Sequence, residues 1–443
     1  MNPPQRLSRT IPTVLLARWV ISIDRPSIRD GAIAFADGII LTVGTASDVR
    51  QAFPRARVHD LGQSALLPGL VNAHVHLELS ALSPGEKPAG FVDWLKRLVP
   101  ASPPSWDGAQ AFARGGVEAG VQQCLRFGVT TIGDISRQCA VTRQMLKNTP
   151  LRVVSYGEVQ AMAQRRGFLH ERLETAADRT HQTDRLRVGV SPHAPYSVEI
   201  EGFRRCLQVA GAGQLPLATH LAESAEEAPF LTHHHGPFRE LWRHLGAWDE
   251  QVPFFPGGPI RFAREIGLLD YPTLLAHVNY CDDDELAMLA AGHASVVYCP
   301  RTHAYFGHPP HRWRDMLARG INVALGTDSC ASSPDLNLLD DLRLLHRIAP
   351  DFPPGQLWEL ATVRAARAIG CENQVGSLAI GKAADFAIFD APSDDPMREI
   401  LQNDRLPNEV WINGARQAAG TTARAISTGN SQPTTHHPPT TNY

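Results

Sequence analysis

His74 and His76 stand two residues apart at the end of an apolar run near 66–77. In an extended strand alternate side chains share a face, so both imidazoles point the same way and can grip one metal ion. The pair alone is weak, because a buried, hydrogen-bonded pair of histidines reads the same. The pattern gains force from the other runs. The run near 187–193 ends in His193. The run near 216–221 ends around His220, with Glu223 just after, the run near 273–279 carries His277, and the run near 321–327 is followed by Asp328. Such a set gives three nitrogen ligands and one carboxylate, with room for water. Zinc sites that keep a position open are catalytic, because the metal lowers the pKa of water to about 7. Iron(II) or manganese accepts the same donors. Glu223 is placed to carry a proton from that water to a leaving group. It also reads as an exposed glutamate of an acidic stretch with Glu226 and Glu227.

Eight apolar runs must position these residues: 66–77, 129–135, 152–159, 187–193, 216–221, 273–279, 295–299 and 321–327. Helical patterns separate them, one of them expected to start at Ser333 with Pro334 and Asp335. Strands alternating with helices imply parallel βα units, and eight of them suggest a closed (β/α)8 barrel of the TIM type. An open, doubly wound sheet is the alternative. The chemistry-bearing residues fall at the C-terminal strand ends, where barrel enzymes hold their sites. Both chain ends are β-rich. Asp37-Gly38 marks a hairpin between Gly31–Phe35 and Ile39–Leu41, and a further strand is expected at 384–389. We therefore expect a small composite β-domain from residues 12–65 plus 370–417 around a catalytic barrel of 66–369. The Thr-, Ser- and Pro-rich tail from about 418, with its incidental His436-His437, is expected to be disordered.

Composition excludes little but orders the classes. The chain has 443 residues, 43% of them hydrophobic, enough for a large core. A net charge of −3 offers no basic face for nucleic acid. Seven scattered cysteines without a CxxC argue against a disulfide framework. No apolar stretch reaches the roughly 20 residues that span a bilayer. The run Thr13 to Ile23 reads as a strand rather than a signal peptide. These features lead us to expect a cytoplasmic protein. No GxSxG elbow suggests a serine hydrolase. Gly211–Gly213 reads as a helix-ending turn, and His233–His235 as a solvated loop.

The phrases LPGLVNAHVHLELS, SPHAPYS, THLAESAEE, LAHVNY, VVYCPRTHAYFG and VALGTDSCASSPDLNLL resemble, in this order, the amidohydrolase superfamily. Within it they are similar to the cytosine deaminase-like and chlorohydrolase-like branch, over about residues 12–415. The resemblance implies a distorted barrel with a small β-sandwich from both ends. It implies one divalent metal, zinc before iron(II) or manganese, held by His74, His76, His220 and Asp328. His277 would polarise the attacking water or the developing oxyanion, Glu223 would shuttle the proton, and Asp328 would also accept the water proton. His193 would face the substrate. Strand four reads RVGVSPHAP, without the lysine or glutamate of two-metal members, so one metal is expected. Glu158, at the end of strand three, stays outside the metal shell. Many relatives carry Ser-Asn after the Cys-Pro of strand seven, whereas this chain has Arg301-Thr302-His303. The HLELS phrase followed by FVDWL at 91–95 is similar to 6-aminodeoxyfutalosine deaminases. It makes Glu78 and Trp94 candidates for contact with a ribose or ring, although Trp94 reads equally as packing.

The expected reaction is attack of metal-bound hydroxide on an aminated heterocycle, a purine, pyrimidine, pterin or nucleoside, with release of ammonia. A chlorohydrolase or a cyclic amide or imidazolone hydrolase is the alternative on the same scaffold. A barrel without catalysis that serves as a binding protein is the alternative from another class. The partner expected is a small molecule, with neither nucleic acid nor membrane. Relatives are often dimers or larger, so a homo-oligomer is compatible with the resemblance.

Overall fold

The computed structural model describes residues 10–99 and 106–418. The tail expected to be disordered lies, from residue 419 with His436-His437, outside the described residues. Apolar and β-branched residues at the N-terminus form β1 (Thr13–Val20), β2 (Ile28–Ala36), β3 (Ile39–Thr45), β4 (Arg57–Asp60) and β5 (Ser64–Pro68). Asp37 and Gly38 both take positive φ, 51° and 77°, and turn β2 back onto β3 as an antiparallel pair. The barrel strands follow: β6 (Leu70–Val75), β7 (Val129–Ser136), β8 (Arg152–Val159), β9 (Leu186–Pro192), β10 (Leu217–Leu221), β11 (Thr273–His277), β12 (Ser295–Tyr298) and β13 (Asn322–Leu325). The C-terminal segment adds β14 (Phe386–Asp390), β15 (Glu409–Ile412) and β16 (Ala415–Arg416).

The strands from β6 to β13 pair in chain order, and every registered pair is parallel. Nearly all their residues are buried, as expected where helices cover a parallel sheet and apolar runs lose their alternation. A parallel bridge between Val75 and Asp328 joins the last strand to the first, and the Asp328 N–H donates to the His74 carbonyl at 3.1 Å. The sheet therefore curls into a barrel rather than lying open. Gly326 permits this closure, since a Cβ there would sit 2.8 Å from the His74 backbone carbonyl oxygen.

The other sheet runs β16-β15-β14-β5-β1-β2-β3, with β4 on β1, so both chain ends share it. The first apolar run is divided by this topology. Ser64–Pro68 pairs with β14 in the small sheet, and only Leu70–Val75 enters the barrel. A buried ion pair, Arg152 Nε to Asp385 Oδ2 at 2.7 Å, ties the start of β8 to the residue before β14.

One helix starts later than its sequence predicts. The expected start at Ser333 falls in a loop, and the helix runs Leu338–Ile348 behind Asn337. Arg301 explains the shift, binding the Asp335 carboxylate at 2.7 Å and its carbonyl at 2.8 Å, while Gln123 accepts the Leu336 N–H. The turn at Gly211–Gly213 does end the helix Ile200–Gly213. His234, read from sequence as solvated, is buried against Phe254. All seven cysteines are free thiols, and no helix among the described residues is long and apolar enough to cross a membrane.

Candidate active site

The ends of five barrel strands deliver the polar residues to one place. His74 lies in β6 with His76 just beyond it, His193 follows β9, His220 lies in β10, His277 closes β11 and Asp328 follows β13. Backbone conformation is unusual here. Ala222, His277, Val278 and Asp328 are non-glycine residues with φ of 50°, 75°, 51° and 57°. Such conformations cost free energy and persist where the surrounding structure enforces them. Backbone bonds do so in this case: Val278 N–H donates to Leu221, Asn279 N–H to Ala222 and Asp328 N–H to His74.

Donor atoms of His74, His76 and His220 lie within 4.8 Å of one another, as do those of His74, His277 and Asp328. His76 Nε2 and His220 Nε2 approach to 3.2 Å, and Asp328 Oδ1 lies 3.7 Å from Nε2 of both His74 and His76. His220 Nδ1–H donates to the His193 carbonyl at 3.1 Å, which leaves the Nε2 lone pair facing the cluster. His74 is fully buried, and neither of its ring nitrogens has a hydrogen-bond partner. Orphaned imidazole nitrogens beside a carboxylate are costly in an empty protein interior and suit a cation. The donor set fits one divalent metal.

Electrostatics agree with that use. Burial, then the neighbouring His74, lowers the His76 pKa to about 4. Burial and the surrounding histidines hold His220 well below its ordinary range. A histidine that is to bind metal must be free of its proton, and both shifts favour that form. Burial alone would raise Asp328, but the neighbouring His74, with His277 and His76, holds it well below the carboxylate range. Ser332 Oγ–H also donates to Asp328 Oδ2 at 2.9 Å.

Glu223 is buried, not exposed, and its Oε1 sits 3.3 Å from His277 Nε2. Burial first, then the charges of Asp328 and Glu227, pushes its pKa well above that of an ordinary glutamate. A carboxyl that holds its proton more readily than an ordinary glutamate is suited to proton transfer. Its backbone is fixed by residues that sequence reasoning passed over. Glu227 accepts N–H groups of Ala222, Glu223 and Ser224 at 3.0, 2.6 and 3.1 Å. Asn279 donates to the Glu223 carbonyl at 2.9 Å, and His311 Nε2 lies 2.9 Å from the His277 carbonyl. No local signal separates Glu227 from its exposed neighbour Ala225 or half-buried Glu226; only the fold turns it inward.

A cavity of about 130 Å³ opens over the cluster, lined at one end by His76, His220, Glu223 and Asp328. Phe91, Trp94 and Tyr196 give it an aromatic wall. Trp94 lines the cavity and also packs on Phe91 and Phe306, with its indole N–H donated to the Ala331 carbonyl at 3.0 Å. The packing read from sequence is therefore present, and the side chain also faces the cavity. Glu78 also reaches the cavity, but its two oxygens accept from Ser136 Oγ, Arg137 N and Gln138 N, each at 3.0 Å. His193 faces the cavity, Nδ1 2.6 Å from Ser197 Oγ, with its pKa lowered to about 3 by burial and then by Arg137. Arg301, where relatives differ, does not line this cavity; it pairs with Asp335 and with fully buried Asp341.

Residues 65–416 match the amidohydrolase family. A 5-methylthioadenosine/S-adenosylhomocysteine deaminase of Nitratidesulfovibrio vulgaris is 29% identical over 413 residues, covering 88% of this chain and 87% of the relative. The same fold occurs in the crystal structure of Helicobacter pylori aminofutalosine deaminase with methylthio-coformycin, at a TM-score of 0.80 and 21% identity over 92% of this chain and all of that one. It occurs again in an adenosine deaminase of Xanthomonas campestris with bound zinc, at a TM-score of 0.76 and 22% identity over 92% of each chain. The closed barrel, the strand-end histidines and the match over most of its length make this chain a member of the amidohydrolase family, a hydrolase of carbon–nitrogen bonds other than peptide bonds.

Proposed function

We propose that this enzyme deaminates a nucleoside-like aminated heterocycle, with His74, His76, His220 and Asp328 holding one zinc ion. The observation that carries this reading is the buried Glu223 carboxyl beside both the ligand cluster and His277. When bound, the metal makes water a nucleophile at neutral pH. Glu223 gives a proton to the ring nitrogen next to the amino-bearing carbon, which makes that carbon more electrophilic. Asp328 accepts the proton of the attacking water, and His277 steadies the oxygen as the new C–O bond forms. The C–N bond then breaks and ammonia leaves with the relayed proton, so water and amine are exchanged in balance. Phe91 and Trp94 exclude water from the face of the ring. The deaminase relative supports this substrate class: it shares most of its length with this chain and is named for adenosine derivatives.

The test is ammonia release from a panel of aminated purines, pyrimidines, pterins and nucleosides, with metal content measured in the same sample. Ammonia from a nucleoside, lost in Glu223→Gln with metal retained, is the expected result. No ammonia from any member, but chloride from chlorinated triazines, would transfer the site to the chlorohydrolase reading.

A further inference from the structure

His277 closes β11 with its backbone in the left-handed region, at a φ of 75°, and Val278 follows at 51°. Such conformations cost about 1–3 kcal/mol each and last only where neighbours hold them. The peptide between these two residues is held at both ends. Its N–H, from Val278, donates to the Leu221 carbonyl at 3.0 Å. Its oxygen, from His277, accepts from His311 Nε2 at 2.9 Å. His311 comes from the loop after the helix Pro300–Phe306, and that loop is itself pinned. His303 Nε2–H donates to the Pro309 carbonyl at 2.9 Å, and His308 Nδ1 lies 2.9 Å from the Tyr280 hydroxyl. The buried His311 ring lies flat on Tyr298, with centroids 4.0 Å apart. A carbonyl can only accept, so the proton of His311 is on Nε2. Its Nδ1 is buried without a partner. An apolar side chain would cover Tyr298 without that cost. The bond to His277 is what a histidine adds at this position.

We infer that His311 is a positioning residue, which grips the His277–Val278 peptide and thereby aims the His277 imidazole at the reacting centre. The inference rests on the reading of His277 as the group that steadies the attacking oxygen. No hydrogen bond fixes His277 Nε2, which sits 3.3 Å from Glu223 Oε1. Its direction must therefore come from the backbone. The nitrogen of His277 belongs to β11, and its carbonyl carbon belongs to a rigid peptide held by Leu221 and His311. Together these anchors set where Cβ points. Without His311 the carbonyl is free to turn and the strain at His277 can relax, which carries the imidazole away from Glu223. An offset of about 1 Å is enough to cost roughly 100-fold in rate.

Three substitutions in the metal-loaded enzyme test this. His311→Leu removes the donor, His311→Gln keeps an N–H at similar reach, and His311→Asn carries one that stops short. Ammonia release from nucleosides and chloride release from chlorinated triazines are followed beside metal content and melting temperature. His311→Leu is expected to lower kcat by about 10- to 100-fold with KM and bound metal little changed, and His311→Gln to recover most of that rate. In a His277→Asn background, His311→Leu should cost almost nothing more, because the group it acts through is gone. The same added loss in that background, or full kcat in a folded His311→Leu, overturns the inference. Where the leucine variant does not fold, equal rates for His311→Gln and His311→Asn overturn it. If no compound turns over, crystal structures of the wild type and the folded variants decide. A His277 that leaves the left-handed region when the donor is lost upholds the inference, and an unmoved His277–Val278 peptide overturns it. The expected pattern on a triazine, with no ammonia from any nucleoside, would uphold the role of His311 and overturn the deaminase reading.

Discussion

The Glu227 carboxylate accepts the backbone N–H of Glu223 at 2.6 Å, and it accepts those of the two flanking residues as well. One buried side chain thus fixes the strained turn, with Ala222 at a φ of 50°, that presents the proton carrier. Glu227→Gln replaces one of these acceptors with a donor. The expected result is a kcat lowered by about 10- to 100-fold with bound metal unchanged, as loss of a supporting contact commonly costs. Steady-state kinetics beside metal analysis measures this. Unaltered kcat in a correctly folded variant would remove the positioning role.

Glu223→Gln keeps the shape of the side chain but not its proton. Loss of general acid–base catalysis predicts a fall in kcat of about 100- to 10,000-fold. Ammonia release in single-turnover format is the readout. Substantial turnover with a full complement of metal would exclude Glu223 as the shuttle.

Removing the ion should cost both activity and stability, because the orphaned nitrogens of His74 lose their partner. Dialysis against a chelator is expected to abolish turnover and lower the melting temperature. Adding back zinc, iron(II) or manganese singly then ranks the metals. His220→Ala should retain little metal even when metal is supplied in excess. A chelated protein that still turns over at the original rate would contradict the whole scheme.

Arg301 predicts a stability effect rather than a specificity effect. Asp341 is fully buried and depends on Arg301 Nε at 3.0 Å. Arg301→Ala strands that charge, at a cost of about 3–5 kcal/mol. Denaturant unfolding should show this loss, and the ranking of substrates should stay as it was. A changed ranking would mean that this departure from its relatives acts on the substrate.

Asp134 gives a pH signature away from the proton machinery. Burial, opposed by the Leu77 N–H, raises its pKa to about 7, against 3.8 for an exposed group. The folded state then holds a proton that the unfolded state has released, so this residue lowers stability as pH rises from about 4 to about 7. Asp134→Asn is therefore expected to gain stability relative to the wild type between pH 5 and pH 8, by up to a few kcal/mol. Melting curves at the two pH values compare them. A difference that is independent of pH would show that the carboxyl ionises freely.

Local sequence carried a good deal of this molecule. Eight apolar runs at even spacing announced the strands, because residues buried on both faces of a parallel sheet must all be apolar. The HxH pair and the polar residues after the runs announced the strand-end chemistry, since the pleat puts alternate residues on one face. What the sequence left open depended on neighbours distant in the chain. The split of the first run at Gly69 follows from pairing between Ala65 and Phe389, more than three hundred residues apart. The late start of the helix Leu338–Ile348 follows from Arg301. Closure of the barrel needed the bridge from Val75 to Asp328, and the choice between an exposed and a buried Glu223 needed the turn that Glu227 organises. Periodicity reports which face of a segment is apolar; it does not report what the polar residues at its ends will meet, and that is fixed only when the barrel brings those ends together.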